Sequence, residues 1–282
     1  MALLEVNFVS KSMARTETFN AIVPADKLSM PGQEADADSA ALPFKTLYLL
    51  HGGFGNYTDF ISGTRIQRWA EDRNLAVIMP SGGNQFYIDK EDTEENFGAY
   101  VGQELVEFTR SIFPLSTKRE DTFIAGLSMG GYGALINGLK YTDNFGYIGA
   151  FSAALILNDI IQETEFLKGF GFKTAYYERV FGQKDALEGT DKDYRFLIEE
   201  LQRQSKPLPE IYLAIGRNDF LYEQNQAYRK FLSERNVRFT YEEGDGCHDW
   251  DFWDTYLHRF LDWLPLKSGQ AGRNSGNVKK TD

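Results

Sequence analysis

The hydrophobic pattern predicts eight strands along this chain. Residues Leu3 to Val9 and Arg15 to Val23 alternate between apolar and polar side chains, as half-buried antiparallel strands do. The short apolar run Phe123 to Ala125 has the length and composition of a buried strand. The other predicted strands are Lys45 to Leu50, Leu75 to Met79, Tyr147 to Phe151, Glu210 to Ile215 and Val237 to Glu242.

Segments with helical spacing lie between the later strands. They are Thr58 to Arg73, Ala99 to Phe113, Ala134 to Leu139, Glu223 to Arg235 and Trp250 to Leu264. Two antiparallel strands followed by strands that alternate with helices predict an α/β fold, with a mostly parallel sheet and helices on both faces. We therefore expect one domain over residues 1–266.

Three further segments complete this organisation. Residues 153–209 contain helical fragments and no clear strand, so we expect a helical insertion over the strand ends. The connection from Pro24 to Pro43 is rich in Ala, Asp, Pro and Ser, which predicts a long exposed loop. Residues 267–282 are rich in Gly, Ser, Asn and Lys, which is typical of a disordered tail.

Composition and charge narrow the range of partners and compartments. The net charge of −11 disfavours nucleic acids and anionic membranes as partners. Cys247 is the only cysteine, so no intrachain disulfide is possible. The N-terminus has Glu5 where a signal peptide would be apolar, and the apolar run Ile148 to Leu157 is about half a membrane span. We expect a cytoplasmic protein without a leader.

The candidate chemistry begins at the sequence Gly126-Leu127-Ser128-Met129-Gly130, which matches the nucleophile-elbow pattern Gly-x-Ser-x-Gly. A strand that turns sharply into a helix strains the backbone of the central residue. Side chains two positions before and after that residue would collide with the adjoining strand and helix. Glycine at both positions removes that collision. The pattern alone arises by chance in roughly one such chain in ten, but the strand before it and the helix after it favour a nucleophilic Ser128.

A serine nucleophile needs a base, and the chain has only three histidines. His248 lies between the last predicted strand and the last predicted helix, where an α/β-hydrolase delivers its base to the serine. His258 lies within the last helix among aromatic residues, which favours a structural role. His51 adjoins a glycine-rich loop, and we expect it to orient that loop by hydrogen bonds.

The acid should follow a strand and lie between the serine and the histidine in chain order. Asp219 fits, because it comes just after the strand Glu210 to Ile215. Asp249 is a rival, but its position favours an N-terminal cap of the last helix. Asp143 and Asp159 are weaker rivals.

An oxyanion hole requires two backbone N–H groups. Met129, the residue after the nucleophile, is expected to supply one. The loop His51-Gly52-Gly53-Phe54 is similar to the His-Gly-Gly-Gly loop of lipases and esterases and is expected to supply the other, from Gly53 first and from Phe54 second. The alternative interpretation of this loop is a plain glycine turn.

Taken together, the segments around His51, Ser128, Asp219 and His248 resemble the esterase D family, and the resemblance extends over most of residues 1–265. Within that family, the chain looks like the bacterial tributyrin-esterase-like enzymes. S-formylglutathione hydrolases, some feruloyl and acetylxylan esterases and mycolyltransferases are more distant. The resemblance implies an α/β-hydrolase fold, hydrolysis without a metal or other cofactor, a preference for short acyl groups, and often a dimer or tetramer.

We therefore expect a serine carboxylesterase for short-chain esters, with a triad of Ser128, Asp219 and His248. An S-formylglutathione hydrolase-like thioesterase and a feruloyl or acetylxylan esterase are the alternatives, and a non-catalytic binding protein on the same fold is the least favoured. Phe54, Phe86 and Tyr87 lie on loops expected to face the site, so they are the predicted substrate contacts, although each also suits core packing.

Overall fold

Eight strands form one sheet in the computed structural model, which describes residues 1–25, 42–90, 93–170 and 172–266. The eight-stranded, mostly parallel sheet predicted from the sequence is confirmed. The strands are β1 (Ala2–Ser10), β2 (Arg15–Val23), β3 (Lys45–Leu50), β4 (Leu75–Pro80), β5 (Thr122–Leu127), β6 (Tyr147–Phe151), β7 (Glu210–Gly216) and β8 (Phe239–Gly244).

The strand order in the sheet is β1-β2-β4-β3-β5-β6-β7-β8. The β1–β2 and β2–β4 pairs are antiparallel, and all later neighbours are parallel. Parallel neighbours end at the same edge of the sheet, so the segments that follow β3, β4, β5, β6, β7 and β8 meet there. In open α/β sheets, ligands bind at this carboxyl edge.

One strand begins later than its sequence pattern predicts. Val237 was expected to open the last strand, but β8 begins at Phe239. The backbone N–H of Val237 instead donates to the carbonyl of Leu232, and Asn236 has a φ of 53°. The side chain of Val237 is buried, so its apolar character closes the end of the preceding helix and does not extend the strand.

The α-helices in the described residues are α1 (Asp59–Gly63), α2 (Ile66–Asp72), α3 (Phe97–Ala99), α4 (Leu105–Ile112), α5 (Met129–Lys140), α6 (Leu157–Gln162), α7 (Thr174–Phe181), α8 (Tyr194–Arg203), α9 (Tyr222–Glu234) and α10 (Trp250–Trp263). A π-helical turn, Tyr100–Glu104, joins α3 to α4. The helix predicted from Ala99 to Phe113 therefore includes a π turn, at which Glu104 accepts hydrogen bonds from the turn between β1 and β2.

The segment from Thr58 to Arg73 was predicted as one helix, but it forms two. Thr64 is extended, with φ −140° and ψ 174°, and its hydroxyl bonds the carbonyl of Phe60 and the N–H of Ile66. Gly63 also lies against the ring of Trp250, with only 2.4 Å between that ring and the place of a Cβ. The contact with α10 and the Thr64 side chain together account for the break, which local helical spacing does not reveal.

The sheet separates two apolar cores. One contains residues of α4, α5, α8 and α9 together with one face of the sheet. The other contains residues of α1, α2 and α10 together with the opposite face. Each central strand contributes alternate residues to the two cores, as Tyr48 and Leu49 of β3 do. This two-sided burial explains why the central strands are apolar along their whole length.

The segment between β6 and β7 is helical, as predicted, and it packs close to the carboxyl edge of the sheet. It contains α6, α7, α8 and the 3₁₀ turns Glu165–Phe170 and Lys184–Ala186. Most of the predicted exposed loop from Pro24 to Pro43 and all of the predicted tail, 267–282, lie outside the described residues. Within the described ranges, no helix is both long enough and apolar enough to cross a membrane.

Candidate active site

Ser128 occupies a sharp turn between β5 and α5. Its φ of 53° and ψ of −118° are unusual for a residue with a side chain. A Cβ on Gly130 would lie 2.1 Å from the carbonyl oxygen of Leu50, and one on Gly126 would lie 2.4 Å from the carbonyl oxygen of Gly130. The two glycines therefore permit the turn, and Ser128 itself is partly exposed at its tip.

The imidazole of His248 is hydrogen bonded to the carboxylate of Asp219. The distances from Nδ1 are 2.9 Å to Oδ2 and 3.1 Å to Oδ1. Because an ionised carboxylate only accepts hydrogen bonds, Nδ1 carries the proton and Nε2 presents a lone pair. The Asp219 side chain is 0% exposed, and its Oδ1 also accepts the N–H of Leu221 at 2.9 Å. This pairing leaves Nε2 able to accept a proton.

Two aromatic rings flank the His248 imidazole. The ring centroid of Phe220 lies 4.4 Å away, and that of Trp253 lies 4.9 Å away at nearly a right angle. The indole N–H of Trp253 donates to Oγ of Ser152 at 3.1 Å, which fixes that ring against the end of β6. The backbone N–H of Ser128 donates to the carbonyl of Phe151 at 2.9 Å. Both Ser128 and the group that packs on His248 are therefore anchored to the end of β6.

The candidate oxyanion donors lie on the first turn of α5 and on the loop after β3. Met129 is the first residue of α5, so its N–H has no acceptor within that helix. The N–H of Phe54 donates to Oδ1 of Asn84 at 2.7 Å and is therefore already engaged. The N–H of Gly53 donates in no hydrogen bond within the described parts of the chain. Of the two candidates on this loop, Gly53 is therefore the one whose N–H is available to bind an oxyanion.

His51 connects this loop to its neighbour. Its Nε2 accepts the N–H of Gly82 at 2.8 Å, and its Nδ1 lies 2.7 Å from the carbonyl oxygen of Gly52, to which it donates. The phenol of Tyr87 donates to the carbonyl of His51 at 3.1 Å. Burial lowers the pKa of His51, so the ring is neutral. Both ring nitrogens are used in holding the loop, in agreement with the predicted orienting role.

The rival acid and base residues have other partners. Oδ1 of Asp249 accepts the N–H of Phe252 at 3.0 Å and caps α10, as predicted. Asp159 accepts hydrogen bonds from Thr164 and Gln224. His258 packs beside Trp69 in the layer formed by α2 and α10. These contacts are structural, and Asp219 is the carboxylate that the fold brings to His248.

The predicted substrate contacts separate into one exposed and two buried residues. Phe54 is 77% exposed, and its ring stacks on that of Phe172, with 5.1 Å between centroids. Phe86 and Tyr87 are buried, contrary to the expectation that they face the site. Phe86 packs on Tyr132 and Phe181, and Tyr87 packs on His51. The buried phenol of Tyr87 donates a hydrogen bond to the His51 carbonyl. Because both rings are buried, neither is available to a substrate.

Three residues of the site, Asn84, Phe220 and Trp253, were not predicted from the sequence. Asn84 ends a glycine-rich turn after β4, a common place for a polar side chain at a sheet edge. Phe220 directly follows Asp219. A large apolar side chain in this polar turn was a signal that could have indicated a residue of the site. Trp253 is one of the aromatic residues around His258 in the last helix, for which the sequence favours a structural role. The described residues contain no group of three or more His, Cys, Asp and Glu side chains placed to hold a metal ion.

Known proteins similar to this chain are esterases and serine hydrolases. The family model described as "Putative esterase" matches residues 35–264. An acetyl esterase of Caldicellulosiruptor saccharolyticus is 47% identical over 264 residues, which are 94% of this chain and 98% of that protein. Two solved Staphylococcus aureus structures are each 30% identical and cover 93% of this chain and 98% of their own. They are the fluorophosphonate-binding serine hydrolase FphF, with a TM-score of 0.80, and the S-formylglutathione hydrolase FrmB, with a TM-score of 0.78.

The similarities to the acetyl esterase and to the two solved structures extend over nearly the whole chain. The family match alone covers most of the sequence, and the acetyl esterase is identical at almost half of the aligned positions. The resemblance noted from the sequence is therefore confirmed at the level of family, fold and reaction class. The chain belongs to this esterase family, has the α/β-hydrolase fold and is a serine esterase that acts on carboxylic esters.

Proposed function

We propose that this protein hydrolyses esters of short carboxylic acids, from acetyl to butyryl, through an acyl-enzyme on Ser128. His248 is the base and Asp219 the acid of the proposed triad. The observation that carries the proposal is the hydrogen bond between His248 Nδ1 and the buried carboxylate of Asp219, at the same sheet edge as the strained, partly exposed Ser128. A histidine that only packs in a loop has no need of a buried carboxylate on Nδ1, whereas a catalytic base needs that carboxylate to fix its tautomer.

In the acylation step, Oγ of Ser128 attacks the ester carbonyl carbon while Nε2 of His248 takes the hydroxyl proton. Asp219 stays ionised and holds the imidazole in the tautomer that leaves Nε2 free to accept. The resulting imidazolium is stabilised by this carboxylate. His248 then gives its proton to the leaving alcohol oxygen as the carbon–oxygen bond breaks.

The tetrahedral oxyanion requires donors that are in place before the reaction. The N–H groups of Gly53 and Met129 are the proposed pair, and the positive end of the α5 dipole adds to their effect. The amide of Phe54, the second choice, donates to Asn84, which supports Gly53 as the proposed donor. In deacylation, His248 takes a proton from water, the water attacks the acyl carbon, and Ser128 regains its proton.

Support for short acyl groups comes from the relative that is named an acetyl esterase and is 47% identical to this chain. Of the three predicted substrate contacts, Phe54 remains the proposed one, because its exposed ring adjoins Gly53. Stacking on Phe172 holds this ring in place beside the proposed oxyanion hole. Exposure of a large aromatic ring at this point is consistent with a role in binding substrate.

The test is hydrolysis of p-nitrophenyl esters from acetate to octanoate by the wild type and by Ser128→Ala. We expect kcat/KM to be highest for acetate or butyrate and to fall with longer chains. Ser128→Ala is expected to lose a factor of about 10⁴ or more in kcat. A preference for octanoate would contradict the short acyl group, and a loss below tenfold in the variant would contradict the nucleophile. Labelling of the wild type, but not the variant, by a fluorophosphonate probe is the matched control.

Thioester hydrolysis is the second candidate, because FrmB, named an S-formylglutathione hydrolase, is 30% identical over nearly the whole chain. The same acyl-enzyme chemistry serves an ester and a thioester, so the triad does not distinguish them. Comparing kcat/KM for S-formylglutathione and p-nitrophenyl acetate separates the two. A thioester preference of a hundredfold or more would make thioester hydrolysis the first candidate.

The cytoplasmic location and the dimer or tetramer stay predictions. Light scattering tests the oligomeric state.

A further inference from the structure

Phe220 is the solvent-facing member of the two rings that flank His248. Its side chain follows the acid Asp219 directly and is 51% exposed, whereas Trp253 is buried. The His248 side chain itself is only 16% exposed, in keeping with the Phe220 ring 4.4 Å from it at an interplanar angle of 43°. Phe220 therefore presents apolar surface to solvent directly next to the proposed base.

The proposed reaction fixes which part of a substrate comes near this ring. His248 must donate its proton to the leaving oxygen, so that oxygen has to approach Nε2 to within about 3 Å. The carbonyl oxygen, in contrast, has to point to the amides of Gly53 and Met129. A ring centred 4.4 Å from the imidazole is therefore within van der Waals reach of the alcohol side of the scissile bond.

A second aromatic ring extends the same surface. Phe166, in the 3₁₀ turn of the helical insertion, lies 6.4 Å from Phe220 between centroids, with an interplanar angle of 46°. This spacing is that of an interacting aromatic pair. The pair joins the turn after β7 to the insertion, and its Phe220 ring lies next to the base.

We propose that Phe220 and Phe166 form a subsite for the alcohol part of the ester, and that it selects ring-bearing alcohols over short aliphatic ones. The inference rests on the proposed function, because it uses His248 as the group that protonates the alcohol. Phe220 is the main contact, since it lies beside the base, and Phe166 extends the apolar surface outward. A flat ring gains more contact with this pair than a short chain does.

The experiment separates acylation from deacylation in Phe220→Ala and the wild type. Phenyl, cyclohexyl and ethyl acetates all form the same acetyl-enzyme, and their alcohols have left before deacylation begins. We expect kcat/KM, which reports acylation, to fall about tenfold for phenyl and cyclohexyl acetate and less than about threefold for ethyl acetate. The rate of acetyl-enzyme hydrolysis, measured after a p-nitrophenyl acetate burst, is expected to be unchanged.

Two controls complete the design. Phe220→Leu keeps an apolar side chain and should retain the unfolding temperature and an intermediate preference for the ring-bearing alcohols. Val9→Ala removes an exposed apolar side chain from the edge strand β1 and should not change the ratio of phenyl to ethyl acetate. Phe166→Ala is expected to shift that ratio in the same direction as Phe220→Ala, but by less.

The contrary outcomes are distinct. Equal losses for all three acetates together with slower deacylation would show that Phe220 only positions His248. Unchanged kcat/KM for every alcohol would show that it does not contact the substrate. Failure of the proposed function itself would look different, because the wild type would then give no burst and Ser128→Ala would match its activity.

Discussion

The backbone N–H of Phe54 donates a hydrogen bond of 2.7 Å to the side-chain oxygen of Asn84. Phe54 follows β3 and Asn84 follows β4, so the bond joins the loops of two neighbouring strands. The carbonyl of Asn84 in turn accepts the phenol of Tyr176 at 2.6 Å, which connects the same point to α7. The position of the adjacent Gly53 amide therefore depends on an asparagine that is distant in sequence.

Asn84→Ala is expected to lower kcat about tenfold or more with little change in KM. Without its acceptor the Phe54 amide loses its partner, and the Gly53 amide is less well placed for the oxyanion, which matters only in the transition state. Steady-state kinetics with p-nitrophenyl acetate measure both constants. Tyr176→Phe leaves the side-chain bond of Asn84 intact and should keep most of the activity. A raised KM at constant kcat would instead make Asn84 a substrate contact.

Asp219→Asn should lower kcat by orders of magnitude, because an amide does not stabilise the imidazolium and favours the wrong His248 tautomer. Asp249→Asn is the matched control one residue beyond the base. Asparagine caps helices about as well as aspartate, so both activity and stability should change little. Asp249→Ala should cost about 1 kcal/mol in unfolding free energy and leave kcat within about threefold. The opposite ranking of the two asparagine variants would assign the acid role to Asp249.

Ser128→Gly should be more stable than Ser128→Ala by about 1 kcal/mol in the free energy of unfolding. Both variants lack the hydroxyl, but only glycine adopts a φ of 53° and a ψ of −118° without strain. The greater flexibility of glycine in the unfolded chain opposes part of this gain. Urea unfolding of the two inactive variants measures the difference. Equal or lower stability of Ser128→Gly would mean that the elbow stores little strain.

Much of the proposed site follows from local sequence because its parts sit at the ends of predicted strands. Ser128 is marked by its flanking glycines, and Asp219 and His248 each follow a strand that reaches the same sheet edge. Asp219 is favoured because it directly follows a strand, and Asp249 is disfavoured because it has the position of a helix cap; both signals are local. These features concern residues a few positions apart, where spacing and backbone geometry are closely related.

The features that were missed depend on contacts between distant segments. Asn84 and Phe54 are 30 positions apart, and the sequence around Phe54 does not indicate which residue accepts its N–H. Phe86 and Tyr87 were expected at the site because they lie on a loop beside it. Both have a positive φ and are buried, whereas Phe54, which also has a positive φ, is exposed, so the backbone conformation does not indicate whether the ring faces the core or the solvent. The break after Gly63 likewise depends on Trp250, which belongs to the last helix.

Acidification is expected to destabilise the protein through His51. Burial lowers its pKa below the ordinary value of 6.5, and the nearby carboxylate of Asp59 only partly opposes this. The unfolded chain therefore binds a proton on His51 more readily than the folded protein does. By linkage, the free energy of unfolding holds above pH 6.5 and falls as the pH drops below that value. In the folded protein, protonation would also remove the lone pair that accepts the Gly82 amide.

Urea unfolding of the wild type and His51→Gln at pH 7.5, 6.5 and 5.5 tests this dependence. His51→Gln should be less stable than the wild type at pH 7.5, because it loses the ring's hydrogen bonds to Gly52 and Gly82. Its stability should fall less than that of the wild type between pH 7.5 and 5.5. Some decline will persist in the variant, since burial also lowers the pKa of His258. His258→Gln is the matched control in the opposite core. Parallel declines in the wild type and His51→Gln would mean that other groups set the acid sensitivity, since the buried ring would then contribute no linked proton.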